Sequence, residues 1–485
     1  MKGSLFKASA ILIPLSLIGC KKADTGPSKP NLLYIIVDQM REMAMSCSGD
    51  ENITTTALDN LASKGMRFTR MYTPTPVSSP ARASLHTGLF PHNAGVPTND
   101  RRLSEEVPTL AEILAEEGYV TGHIGKWHLD GRNEYFDEDH ESWRELRMPG
   151  YPLISCYGYV PPERHRGFQY WAGFEHGHQY FGSRYWKKER EAILLPEGVY
   201  EPDHQTDLAI EFIRQNRDTS WYLDLNFGTP HFPLDDKNVR PEDLQLFDPA
   251  SLVLRPNVPA EFEEEAREIL SIYYAMIHNL DLNLQRLLET LRNEGILDNT
   301  VIVFTSDHGD LMLSHGQNYK RRPQEESTRV PFIVSYPPLV KQGAVADQLL
   351  TLVDIFPTLL ELIDIEPPFN EGKSFKSLLT GASTDDIHSS IYMLGSPLGC
   401  RATDPGYVRN PWRAVRTHDF MMAFIVKNDT ELEAFQLYSM NSDPYQMNNL
   451  IHDPAYGSIK HELAGELDSW RKKTGDWAER LELKY

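Results

Sequence analysis

Seven residues at Asn31–Val37, NLLYIIV, form an apolar run that stops at Asp38-Gln39. A run of this length without polar alternation predicts a strand covered on both faces, as in a parallel sheet. WYLDLNF at Trp221–Phe227, VIVF at 301–304 and RVPFIV at 329–334 repeat the pattern, and shorter strands are predicted at 66–71 and 120–124. Helical spacing lies between them. It covers 54–65, 109–117 ahead of Gly118, 206–214 with Thr206 as N-cap, and 354–363. The longest helix is predicted over Glu263–Asn293, where Leu270, Tyr273, Tyr274, Ile277, Leu280, Leu284, Leu287 and Leu291 keep one apolar face until Gly295 closes it. This alternation predicts an α/β fold with a large mixed, mainly parallel sheet sandwiched by helices.

From about Gly372 the texture changes. Residues 380–390 are polar and loop-like, and short β-like runs follow at 391–394, 413–416, 421–426 and 435–438, before a helix over 460–471. The pattern predicts a small C-terminal antiparallel sheet plus one helix. The expected division is a catalytic domain over 31–380 and a C-terminal α+β subdomain over 381–485.

The first residues read as an address. Lys2 and Lys7 precede a short apolar stretch over 8–18, as in a signal peptide over 1–19. Leu17-Ile18-Gly19-Cys20 fits a bacterial lipobox. Cleavage before Cys20 and lipidation of its thiol would anchor the chain to a membrane. An ordinary signal peptide with a chance Cys is the alternative, and the small residue directly before Cys20 favours lipidation. Residues 20–30 then form a polar, lipidated tether. The expected location is the bacterial cell envelope, as a periplasmic or outer-membrane lipoprotein.

Composition narrows the partners. The chain has 485 residues, with 48 Lys and Arg against 69 Asp and Glu, for a formal charge of −21. Nucleic acid is excluded as a partner on this ground, because phosphate neutralisation needs a basic face. An anionic substrate must instead be drawn by a local basic pocket. Beyond Cys20, only Cys47, Cys156 and Cys400 occur, so neither a disulfide framework nor a zinc site is expected. One disulfide among them is compatible with the sequence, which does not name it.

The candidate chemistry sits where strands end. Asp38-Gln39 and Asp307-His308 each follow a buried strand, and side chains at such ends line the ligand crevice of an α/β sheet. Two oxygen donors at Asp38-Gln39 suit a hard cation, although a helix cap would account for the pair alone. Ser78-Ser79-Pro80-Ala81-Arg82 continues into a short apolar stretch ending at Gly88. On a helix this places Ser78 by free backbone N–H groups and Arg82 one turn on: a tetrahedral-anion site containing a potential nucleophile. Gly125-Lys126-Trp127-His128-Leu129 puts a Lys and a His on one side of an extended loop, and Thr229-Pro230-His231-Phe232-Pro233 holds a His at another strand end. Residues 168–186 are crowded with aromatics plus His176, His178 and Arg184. They form either a sugar platform or an aromatic loop core, with no single residue assigned.

These segments together resemble the type I, formylglycine-dependent sulfatases of the alkaline phosphatase superfamily, in the form that encodes Ser at the modified position. The resemblance covers nearly all of the mature chain. It implies that Ser78 is oxidised to formylglycine by a maturase, and that Asp38, Gln39, Asp307, His308 and the modified Ser78 hold one divalent cation, Ca2+. It further implies that Arg82, Lys126 and Lys320 neutralise the sulfuryl group. His128 contacts the formylglycine hydroxyl, and His231 with Lys320 protonates the leaving oxygen. The family often has Asn where His308 stands and a second Asp where Gln39 stands. Sulfated carbohydrate is the expected substrate. A phosphonate or phosphate ester hydrolase of the same superfamily, or a non-catalytic glycan-binding lipoprotein, is the alternative.

Overall fold

Nine of the strands join in one sheet whose order places the predicted site segments side by side. The computed structural model describes residues 29–99, 101–131, 158–175, 177–395, 411–427 and 430–485. The leader, Cys20, Cys156, His176 and Cys400 lie outside the described residues.

In chain order the strands are β1 (Asn31–Val37), β2 (Met66–Tyr72), β3 (Val120–Lys126), β4 (Tyr170–Phe174), the short β5 (Arg184–Tyr185) and β6 (Ile193–Leu194), β7 (Trp221–Phe227), β8 (Thr300–Ser306), β9 (Arg329–Ser335), β10 (Ala344–Ala346), β11 (Leu350–Thr351), β12 (Ser390–Gly395), β13 (Trp412–Thr417), β14 (Phe420–Lys427), β15 (Glu431–Ser439) and β16 (Glu482–Lys484). The large sheet runs β10-β2-β9-β8-β1-β7-β3-β4, with β11 also on β2. β1 pairs in parallel with β7 and β8, and β3 with β7 and β4. β9 is antiparallel to both β2 and β8, so the sheet is mixed while its other described strands share one direction. The carboxyl ends of β1, β2, β3, β7 and β8 therefore meet at one edge, where Lys126 ends β3 and Asp38, the Ser78 segment, His231 and Asp307 follow the other four.

Alternation along β1 explains the two covered faces. Leu33, Ile35 and Val37 pack with the helices Thr56–Lys64, Glu201–Asn216 and Glu263–Asn293. Leu32, Tyr34 and Ile36 pack with Ser78–Thr87, Leu110–Glu116 and Ile355–Leu362. Burial on both faces is what the unbroken apolar runs require. The helix predicted over 206–214 begins earlier, at Glu201. Glu201 and Asp203 supply acids to its first turn, and Pro202 fits there because it has no N–H to leave unpaired. Thr206 is thus interior rather than capping, and its hydroxyl donates to the Pro202 carbonyl at 2.9 Å.

The second sheet, β12-β13-β14-β15-β16, is antiparallel except at its β16 edge. Leu463, Ala464, Leu467 and Trp470 of the helix Gly457–Lys473 pack on it, together with Phe90 and Val353 from the larger unit. Polar contacts also join the two. The Trp412 indole donates to the Arg321 carbonyl at 2.9 Å, and Arg416 Nε to Glu325 at 3.1 Å. No helix among the described residues is long and apolar enough to cross a membrane.

Candidate active site

The helix Ser78–Thr87 starts at the residue of interest. Val77 is extended, and Pro80 lies in the first turn, where its missing N–H costs nothing. Gly88 ends the helix at φ 68°, and a Cβ there would come within 2.7 Å of the Phe356 ring. Every residue of the helix is buried. Ser78 is thus held at a helix N-terminus inside the protein.

Arg82 joins the two metal-type carboxylates. Its Nε–H donates to Asp307 Oδ2 at 3.2 Å and its Nη2–H to Asp38 Oδ2 at 3.3 Å. Its Nη1–H groups reach Asn226 Oδ1 at 2.7 Å and the Lys126 carbonyl at 3.0 Å. Arg82, expected at the sulfuryl group, here bonds Asp38 and Asp307. A fully buried guanidinium with these partners acts as a brace between β1 and β8.

The donor set fits a divalent cation. Asp38 Oδ1 is buried and has no hydrogen-bond partner among the described residues. His308 Nδ1–H donates to the Gly309 carbonyl at 3.0 Å, which leaves a lone pair on Nε2. That Nε2 lies 3.0 Å from Ser78 Oγ and 3.6 Å from one oxygen each of Asp38 and Asp307. One atom from each of Asp38, Asp307 and His308 falls within 4.8 Å of the others. Electron pairs facing one another in a buried space call for a positive ion between them. Burial, partly offset by Asp307, pushes the His308 imidazole down to about 4, so it stays neutral as a ligand must.

Gln39 sits beside this cluster at φ 72°. Its amide donates to Asp310 Oδ2, and its Oε1 accepts from Lys320 Nζ at 2.7 Å. Asp310 was unassigned from sequence. Burial pushes its carboxyl up to about 6, against Lys320 and Arg41. Asn226, likewise missed, is a buried polar residue within β7, one place before the strand's last residue.

The basic side is equally dense. Lys126 Nζ donates to Asp38 Oδ2 at 2.5 Å. Burial works against the Asp38 carboxylate, but Lys126, His231, Lys320 and Arg82 outweigh it and hold the group well below the usual range. Lys320 Nζ lies 2.7 Å from His231 Nε2. Burial lowers Lys320 to about 8, with Asp38 opposing. His231 lies between two cis X-Pro bonds and donates from Nδ1 to the Phe232 carbonyl at 2.8 Å. His128 is buried two residues past Lys126 at φ 59°, so the chain turns there instead of remaining extended as its sequence suggested. The structure thus joins Ser78, Arg82, Asp38, Gln39, Asp307, His308, Lys126, His231 and Lys320 by direct contacts, and it seats His128 on the adjoining turn.

Buried carboxylates, a neutral imidazole, a hydroxyl at a helix mouth and converging ammonium groups suit a hydrolase for anionic esters. The comparisons name its kind. A family model described as "Sulfatase" matches residues 30–365, and one described as "N-sulphoglucosamine sulphohydrolase, C-terminal" matches 314–473. The chain is 32% identical over 488 residues to an ulvan-active sulfatase of Formosa agariphila, covering 98% of this chain and 89% of that one. It is 27% identical to an endo-4-O-sulfatase of Bacteroides thetaiotaomicron, covering 92% of each. Among solved structures, the sulfatase yidJ of Bacteroides fragilis superposes with a TM-score of 0.83 at 27% identity, covering 94% of this chain and 98% of that one. The chain belongs to the sulfatase family and is a sulfuric ester hydrolase.

Proposed function

We propose that this sulfatase removes sulfate from glycans, using a formylglycine made from Ser78 and a calcium ion held by Asp38, Gln39, Asp307, His308 and the modified side chain. The observation that carries the reading is the 3.0 Å approach of Ser78 Oγ to His308 Nε2 beside two buried carboxylates. The glycan part is supported by relatives named as ulvan-active sulfatase, endo-4-O-sulfatase and N-acetylglucosamine-6-O-sulfatase. The comparisons do not favour a phosphate or phosphonate ester hydrolase, or a non-catalytic glycan-binding protein.

A sulfate monoester resists hydrolysis because its anionic oxygens repel a nucleophile. The calcium ion, when bound, supplies positive charge against those oxygens. The hydrated aldehyde at position 78 supplies one oxygen for attack on sulfur and a second whose deprotonation frees sulfate, an exit a plain serine lacks. Lys126 and Lys320 add ammonium charge at the sulfuryl group, and Arg82 holds Asp38 and Asp307 in register for it. His231 and Lys320, 2.7 Å apart, share the proton delivered to the leaving oxygen. His128 takes the proton from the hydroxyl at position 78.

Two partners belong to this reading. A maturase oxidises Ser78, and a membrane holds the lipidated Cys20 at the bacterial cell envelope, in the periplasm or on the outer membrane. A Cys20→Ala variant should leave the membrane fraction. The deciding assay is sulfate release from a panel of sulfated oligosaccharides by enzyme produced together with a serine-type maturase. Cleavage of small aryl sulfates with every glycan left intact would overturn the glycan assignment.

A further inference from the structure

His178 stands between the two ammonium groups of the site. Its Nε2 lies 3.3 Å from Lys126 Nζ. Its ring lies flat on that of His231, with centroids 3.7 Å apart and planes at 10°. His231 in turn meets Lys320 Nζ at 2.7 Å. The order in space is Lys126, His178, His231, Lys320, so two imidazoles form a partition with a cation on each side.

The chemistry of the four groups fixes their states. An ammonium nitrogen only donates, so each ring nitrogen that meets one must carry a lone pair. His178 therefore accepts at Nε2 and keeps its proton on Nδ1, while His231 accepts at Nε2 and keeps its proton on the Nδ1 bonded to Phe232. Both rings are neutral, and neutral rings can lie face to face where charged ones would repel. Lys126 Nζ is held from two directions, by Asp38 Oδ2 at 2.5 Å and by His178. His231 is held in its plane by the Phe232 carbonyl and across its face by His178. His178 is itself buried.

We propose that His178 is a positioning residue that sets Lys126 and His231 in one shared arrangement, so that the cation on the sulfuryl oxygens and the His231–Lys320 pair, whose ammonium carries the proton for the leaving oxygen, keep a fixed spacing. This rests on the roles given above to Lys126 and His231. It acts by restricting where these two side chains can go, which lowers the cost of assembling them at the transition state.

Two substitutions separate its two contacts. His178→Phe keeps a flat ring over His231 and removes the acceptor for Lys126, whereas His178→Ala removes both. The measurements use the full-length matured enzyme, aryl sulfates of graded leaving-group acidity, inorganic sulfate binding by calorimetry, and thermal unfolding. His178→Phe should weaken sulfate binding by roughly tenfold while leaving the dependence on leaving-group acidity as in the wild type. His178→Ala should also steepen that dependence, losing roughly a further tenfold on the poorest leaving group relative to the best. Both variants should unfold within a few degrees of the wild type. Unchanged sulfate affinity in both variants, or an equal loss on all leaving groups with a large drop in unfolding temperature, would overturn the proposal. A wild-type enzyme that cleaved no ester would count against the sulfatase mechanism, and the sulfate-binding series would still judge His178.

Discussion

His308 Nε2 lies 3.0 Å from the Oγ of Ser78, although 230 residues separate them in the chain. One belongs to the end of β8 and the other to a helix that follows β2, so the contact exists only because both strands finish at the same sheet edge. It ties the prospective nucleophile to the metal-type donors.

The first expectation concerns that nucleophile. Peptide mass analysis of the matured enzyme should find the Ser78 side chain two hydrogens lighter than encoded, as an aldehyde requires. Ser78→Ala should reduce kcat by at least roughly a thousandfold with the unfolding temperature nearly unchanged. Full turnover in that variant would sink the covalent scheme.

Arg82 makes a second, sharper case. Two of its four hydrogen bonds brace carboxylates inside the protein, and the other two tie it to Asn226 and the Lys126 carbonyl. Arg82→Lys keeps the charge but cannot reproduce the fork. It should destabilise the fold by about 3 kcal/mol in urea titrations, through a buried carboxylate left short of partners. The loss should exceed that of any exposed Arg→Lys change, such as Arg217→Lys.

Metal removal gives a third test. A chelator should abolish activity and lower the unfolding temperature, because an ion that binds only the folded arrangement of Asp38, Asp307 and His308 stabilises it, and that stabilisation is lost with the ion. Asp307→Asn should weaken calcium binding by more than roughly tenfold by calorimetry. His308→Asn replaces nitrogen with oxygen and should shift selectivity toward Ca2+ over Zn2+ in a competition assay.

The C-terminal unit yields a pH expectation. Burial disfavours the Asp476 carboxylate, but Arg413 bonds it from both Nε and Nη2, Tyr392 adds a further bond, and together they bring it from 3.8 to about 2. A carboxyl lowered on folding stabilises the protein above its unfolded value, and that stabilisation is lost as pH falls through the folded one. Asp476 should therefore contribute about 2 kcal/mol at neutral pH, declining between pH 4 and about 2. The stability difference between wild type and Asp476→Asn should shrink over that window in urea titrations. A gap that stayed constant down to pH 2 would contradict the assignment.

The strands on either side of β1 were legible because burial on two faces leaves an unbroken apolar run. Asp38 was legible as a polar residue directly after such a run, and Lys126, His231 and Asp307 as charged or imidazole side chains at or just past the ends of predicted strands. The reversed direction of β9 was not, since RVPFIV reads the same whichever way its neighbours run. β4 was hidden in the aromatic crowd at 168–186, where large rings mask any alternation. The start of the helix Glu201–Asn216 was misread because Thr206 is a good cap by type, while the nearby Pro202 carried the better signal. Asp310 was not assigned, and His178 was named only within the aromatic segment with no contact of its own, for another reason. Each owes its place to a partner from a distant segment, Gln39 for one and Lys126 for the other, and no local spacing encodes that.

The Trp412 indole of the second sheet bonds the carbonyl of Arg321, the residue directly after Lys320. The smaller unit thereby grips the backbone beside the candidate catalytic Lys320. Swapping this unit between homologous enzymes is consequently not a neutral exchange of modules. A chimera would inherit its neighbour's hold on the lysine, and its turnover would change with a part that never meets the ester.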